Sequence, residues 1–238
     1  MSLIIAINTY EGIVMASDSR STGSLTNINP DGSIQYALGS QITDTTYKTF
    51  LCHERIGIST CGDGAINNIP IVRYIEKFIS EQSEEELTVQ KISQSLADYF
   101  NSITPGLNLH FIVTGYEGNC AIIRQIKLEN TNTDFPYIDN IDTSVPGALW
   151  DGEFLTLSKL LQPMYIKSND NYVLLPNNSI EWKYFTLQDA IDFAKYAVDV
   201  TIKTMAFQNC VKTVGGPIDI LVIKPDRAFW IARKELHA

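Results

Sequence analysis

The first seventeen residues constrain the fold most. Leu3-Ile4-Ile5-Ala6-Ile7-Asn8 is an unbroken apolar run, and Ile13-Val14-Met15-Ala16-Ser17 returns after a short turn at Tyr10-Glu11-Gly12. Two such runs across a short turn predict an antiparallel hairpin. A strand this apolar at a chain terminus predicts the core of a sheet rather than a loose end.

The remaining elements follow the same logic. Residues 49–51 and 56–60 predict a second hairpin that ends at Gly62-Asp63-Gly64. Ile69, Val72, Ile75, Phe78 and Ile79 recur at helical spacing, with Pro70 expected in the first turn, where a missing N–H costs nothing. Thr88 is placed to cap a second helix with the stripe Ile92, Leu96 and Phe100. Two strands at 109–114 and 121–126 flank Glu117-Gly118-Asn119, and 129–143 predicts a surface loop. Phe154, Leu157, Leu160 and Leu161 suggest a short helix. Thr186-Leu187-Gln188-Asp189 has the form of a capping box with Asp in place of Glu, and it opens a long helix. Strands at 218–223 and 229–232 close the chain. Polar insertions lie near 23–46, with a weak strand at Ile34-Gln35-Tyr36, and near 164–184. Hairpin strands grouped apart from helices predict an α+β fold of antiparallel sheets with helices packed outside. Without internal repeats, residues 1–238 are expected to form a single domain.

Composition narrows the function. The chain is 45% hydrophobic and 19% charged, an ordinary globular mixture, with a formal net charge of −9. An acidic chain repels phosphate backbones and anionic membranes, which argues against nucleic-acid and membrane partners. The four cysteines form no C-x-x-C pair and are expected to be reduced and mostly buried. The N-terminal residues lack the basic and apolar regions of a signal peptide, and no run is long enough to span a bilayer, so a cytoplasmic protein is expected.

Several catalytic motifs are missing. There is no G-x-S-x-G elbow, Walker loop, H-E-x-x-H or G-x-G-x-x-G, and Gly57-Ile58-Ser59-Thr60-Cys61 misses the elbow at its last position. The three histidines, His53, His110 and His237, show no metal-site spacing. Cys52 and His53, as strand neighbours, would point to opposite faces. Both are read as structural. No metal or cofactor is expected. A hydrolase can still work without histidine if its base is an amine. An α-amino group, with a pKa of about 7.7–8.0, is partly unprotonated at neutral pH. On an N-terminal Ser it lies beside the hydroxyl it must deprotonate. Met1-Ser2 offers such a residue, because Met before a small residue is usually removed.

Other segments join this one: Ala16-Ser17-Asp18-Ser19-Arg20, Tyr47-Lys48-Thr49, Gly62-Asp63-Gly64 and Val214-Gly215-Gly216. Their order and spacing resemble the proteasome β-subunit family, including its bacterial members. Counting Ser2 as nucleophile, Asp18 falls on the family's acidic position and Arg20 on its basic one. Lys48 precedes Gly62 by 14 positions, matching the interval from active-site lysine to oxyanion-hole glycine. The resemblance implies an N-terminal-nucleophile (Ntn) hydrolase with a four-layer αββα sandwich, two antiparallel sheets flanked by helices. It implies that Ser2 attacks an amide carbonyl while its own amine relays the proton. Lys48, held by Asp18, would favour the ionised nucleophile. The Gly62 N–H would stabilise the oxyanion, a contribution of about 2.7–4 kcal/mol. Lys48→Ala is then expected to abolish hydrolysis with folding nearly intact.

The chain departs from the family in carrying Ser rather than Thr as nucleophile. Before Gly215-Gly216 the family places Asp and Ser, whereas Asn209 and Thr213 are the candidates here. The family's Gly-Ser-Gly-like turn reads Pro146-Gly147-Ala148. The implied substrate is a peptide or a small amide, and the implied assembly a homo-oligomeric ring, with an ATPase partner left open. Two other readings share the fold: a non-catalytic ring subunit, and a small-molecule amidase or acylase.

Overall fold

The computed structural model describes residues 2–83, 87–128, 137–169, 171–176 and 178–235. In chain order the first half holds β1 (Leu3–Asn8), β2 (Ile13–Ser17), β3 (Ser21–Ile28), β4 (Ile34–Thr43), β5 (Thr49–Cys52), β6 (Ile56–Gly62), β7 (Ala65–Ile66), β8 (Ile69–Pro70), α1 (Ile71–Ser80) and α2 (Val89–Ile103). The second half holds β9 (Leu109–Glu117), β10 (Cys120–Lys127), β11 (Tyr137–Ile141), β12 (Gly147–Gly152), α3 (Leu155–Leu161), β13 (Tyr165–Ser168), β14 (Asn171–Leu174), α4 (Leu187–Phe207), β15 (Asp219–Ile223) and β16 (Ala228–Ala232). The expected mixture of helices and antiparallel sheets is present. One sheet has the order β12-β1-β2-β15-β16 and the other β11-β10-β9-β6-β5, and every pairing in both is antiparallel.

Among the described residues, three apolar clusters account for the packing. Leu3, Ile5 and Ile7 pack with Ala194 and Val198 of α4, while Ile58 and Phe111 pack with Ile75 of α1 and Phe100 of α2. The third cluster draws from both sheets: Ile4, Ala6, Met15 and Leu221 join Cys61, Ile112 and Ile123. Alternate residues of β1 therefore serve different clusters, which is why its sequence shows no polar alternation. The Thr9 hydroxyl closes the opening hairpin, donating to the Gly12 carbonyl at 2.9 Å and accepting from the Glu11 and Gly12 amides. Thr88 caps α2 by accepting from Lys91 N, and Thr186 and Asp189 form a full capping box on α4, as expected.

The insertions are more regular than expected. The stretch 23–46 is largely the ribbon β3–β4, paired from Ser21↔Thr43 to Ile28↔Ile34. The stretch 164–184 contains the hairpin β13–β14 and a 3-10 turn at Trp182–Tyr184. A two-stranded ribbon satisfies its backbone without an apolar face, so hydrophobic periodicity does not reveal it. Within the expected loop 129–143, Tyr137–Ile141 is a strand on the edge of the second sheet; residues 129–136 lie outside the described ones. Pro70 does not enter the first turn of α1 but precedes it, extended, as its N-cap. Ile69 accordingly belongs to β8 and is exposed, and α1 buries Ile71, Ile75 and Phe78. All four cysteines are free thiols, but only Cys52 and Cys61 are buried. His53 lies not on a strand but in the turn after β5, at φ 46°, with Nε2 3.0 Å from the Gln82 carbonyl oxygen. His237 lies outside the described residues. No helix among the described residues is long and apolar enough to cross a membrane.

The topology gathers distant segments at one place. In the first sheet, Leu3 opposes Gly152, Ile4 opposes Ser17, and Ser17 opposes Asp219. The start of β1, the ends of β2 and β12, and the start of β15 therefore meet. In the second sheet, Gly62 opposes Leu109 and Thr49 opposes Ser59.

Candidate active site

Asp18 follows β2 directly and is fully buried. Its Oδ1 accepts from Leu3 N at 3.1 Å and from Lys48 Nζ at 2.8 Å. Its Oδ2 accepts from Arg20 N and Gly215 N, each at 3.0 Å. Four donors, one of them an ammonium, offset the cost of removing this carboxylate from water. Lys48 precedes β5, is 4% exposed, and also donates to the Arg20 carbonyl at 2.5 Å. Burial pulls its pKa below that of an ordinary lysine, although the Asp18 carboxylate opposes the shift.

Ser2 is held on both sides. Its carbonyl accepts from Glu153 N at 2.7 Å, and the next amide, Leu3 N, is the one that donates to Asp18. Gly152 makes this approach possible: its φ is +88°, and a Cβ there would stand 1.8 Å from the Ser2 carbonyl oxygen. Ser2, Arg20, Lys48, Thr60 and Gly62 line one cleft. Thr60 N donates to the Lys48 carbonyl at 2.9 Å, joining β6 to the lysine segment. A glycine at 62 lets a substrate approach the main chain closely. A second reason is present: φ is +111°, and a Cβ would meet the Asn108 carbonyl oxygen at 2.1 Å. Asp63 then closes the turn, its N–H donating to the Asn108 carbonyl and its carboxylate accepting from Asn108 N.

Arg20 lines the cleft, but its side chain is engaged elsewhere. The guanidinium makes a bidentate pair with Asp44, at 2.6 and 2.8 Å, which raises its pKa further. It lies over Gly215, where a Cβ would come within 2.5 Å of Cζ. Arg20 thus acts on the cluster through its backbone, which serves both Asp18 and Lys48. Of the two candidates before Gly215, Asn209 is exposed beyond α4, whereas Thr213 is buried, with Oγ1 donating to Glu153 Oε2 at 3.4 Å. Pro146-Gly147-Ala148 is not beside Ser2, because the antiparallel register pairs Gly147 with Asn8 at the far end of β1. Gly152 and Glu153 occupy that place.

Two groupings escaped the sequence reading. Thr49 Oγ1 lies 2.8 Å from Ser17 Oγ and 2.9 Å from Ser59 Oγ, a buried hydroxyl chain between the sheets. Beside the Ser2 segment, Cys61 opposes His110 across β6 and β9, and Asp151 reaches them from β12. His110 Nδ1 lies 3.0 Å from Asp151 Oδ2, which also accepts from Gln125 Nε2 at 2.6 Å, and Asp151 Oδ1 accepts from Gly152 N at 2.7 Å. With the carboxylate ionised, Nδ1 carries the proton. Burial pushes the Asp151 carboxyl up, but the bonds from His110, Gly152 and Gln125 outweigh it and leave the pKa below the usual value. Burial holds the Cys61 thiol well above the ordinary range, and the Asp151 charge adds to it. No sequence spacing joins these three; only the strand register does.

No family model matches this chain, and a search of the curated proteins returns no match.

Proposed function

We propose that the chain is an N-terminal-nucleophile hydrolase of the proteasome β type, acting on peptide or small-amide bonds through Ser2 after removal of Met1. The observation that carries this reading is the Asp18 cluster: one buried carboxylate takes hydrogen bonds from Leu3, Arg20, Lys48 and Gly215, beside Ser2. A chain with no catalytic use for Lys48 would gain little from burying an ammonium there, since a buried ion pair is often no more stable than apolar residues of equal volume. The three packing clusters support the finer architecture, a four-layer αββα sandwich with the Ser2 segment between the sheets. In this reading the chain assembles into a homo-oligomeric ring.

The mechanism follows from the positions. The freed Ser2 amine takes the hydroxyl proton, directly or through one water, as Oγ attacks the amide carbon. The Lys48 ammonium lowers the amine's pKa and stabilises the developing alkoxide. The Gly62 backbone faces the cleft where the oxyanion forms, in a fixed geometry that Asn108 enforces. The amine returns the proton to the leaving nitrogen, and water hydrolyses the ester by the same route.

Ser2→Ala and Ser2→Thr provide the test, assayed with fluorogenic peptide amides. Ala is expected to abolish hydrolysis and Thr, the family's usual nucleophile, to retain it. Equal rates in Ser2→Ala and the parent would refute the assignment. Lys48→Ala is also expected to abolish hydrolysis, but its folding is not left nearly intact: Lys48 is 4% exposed, and breaking a buried pair costs about 3–5 kcal/mol.

A further inference from the structure

We propose that Cys61, His110 and Asp151 form a binding site for one thiophilic divalent cation of the Zn2+ class. One donor atom from each residue lies within 4.8 Å of the others. Donors around a tetrahedral zinc stand roughly 3.3–3.7 Å apart, given metal–ligand bonds of about 2.0–2.3 Å. The set therefore closes on an ion by small side-chain rotations. The donors also sit on a firm support, since β6, β9 and β12 belong to the two five-stranded sheets.

Charge selects the ion. A Cys61 thiolate, an Asp151 carboxylate and a neutral His110 together carry two negative charges, so a divalent cation makes the complex neutral. A neutral complex avoids the penalty of a buried net charge. On binding, the thiol proton leaves to solvent and sulfur takes the metal in its place, while the His110 proton passes to the ring nitrogen that does not bind, so the imidazole stays neutral. One sulfur, one imidazole and one carboxylate suit zinc and related ions rather than magnesium or calcium, which prefer oxygen alone. Outer hydrogen bonds already orient the carboxylate: Gln125 Nε2 and Gly152 N both donate to Asp151. Cys61 lines the cleft beside Ser2, which gives the ion a route in and leaves a fourth position for water.

A cysteine nucleophile activated by His110 is the competing use of the same three residues. Cys61 is only 4% exposed and packs in the cluster with Ile4 and Ile112. A nucleophile must admit a whole substrate, whereas a bare ion needs a far smaller opening.

The full chain, stripped with a chelator, should be titrated with Co2+ and then Zn2+. One equivalent of Co2+ should give a thiolate-to-cobalt charge-transfer band in the near ultraviolet and the intense visible bands of a tetrahedral ion, and Zn2+ should displace both. Cys61→Ser should abolish the charge-transfer band, and His110→Ala should weaken binding by more than about 10-fold. The double variant Cys120→Ser, Cys210→Ser should keep the band, because both thiols are exposed and outside the cluster. If the parent chain shows no charge-transfer band, or the band survives Cys61→Ser or vanishes in the double variant, the site is not this one. The parent and double-variant spectra decide even if Cys61→Ser fails to fold. None of these readouts depends on hydrolysis.

Discussion

Among the buried charges near Ser2, Asp151 makes its energetic role measurable. Its folded pKa is depressed below the ordinary 3.8 by hydrogen bonds that exceed the effect of burial. A depressed carboxylate contributes stability that is fully present above the unfolded value and lost as pH falls through the folded one. In metal-free protein, the difference in melting temperature between the parent and Asp151→Asn is expected to be widest above pH 3.8 and to narrow as acid protonates the carboxylate. A gap that stays constant through this range would show that Asp151 contributes shape rather than charge. At the same scale, the family resemblance is what singles out Ser2, Asp18, Lys48 and Gly62, and in the structure each sits at or just beyond a strand end. Arg20 was found, but its partner Asp44 was not, since that contact depends on how the ribbon β3–β4 returns. Cys61, His110 and Asp151 were invisible for the same reason: their contacts cross strands and sheets, and no local pattern records them.

The elements differ in how plainly the sequence announces them. α4 shows both capping partners and a buried stripe of Ala190, Ala194, Ala197 and Val198, so its start and its face could be read directly. Thr186 Oγ1 accepts from Asp189 N, and Asp189 Oδ2 accepts from Thr186 N. Thr186→Ala should therefore lower stability by about 1 kcal/mol, measured by urea denaturation with an unchanged slope. A cost near zero would mean that packing alone sets the helix start. β12 gave no comparable signal. Its six residues, GALWDG, are mostly half-buried and carry glycine at both ends, a composition that reads as turn. Only its pairing with β1, from Leu3↔Gly152 to Asn8↔Gly147, makes it a strand. That pairing also brings Gly152 and Glu153 to Ser2 and Asp151 opposite Ile4.

At the scale of the whole molecule, the apolar opening hairpin decided the architecture. One face of that hairpin packs on Ala194 and Val198 of α4 and the other on Cys61, Ile112 and Ile123 of the second sheet. The surface carries a further signal. Phe154, Leu155, Leu160, Tyr165, Ile166 and Val173, from α3 and its flanks and the β13–β14 hairpin, are all substantially exposed. Under the ring reading, static light scattering should give a mass many times the 26.6 kDa of one chain, whereas a clean monomer would favour a small-amide enzyme. The proposed nucleophile is one residue with its own amine, so intact mass before and after treatment with an epoxyketone, which reacts with an adjacent hydroxyl and amine, tests it. Loss of Met1 and a single adduct, mapped by fragmentation to Ser2, are expected. Met1 retained, with no adduct, would contradict the assignment.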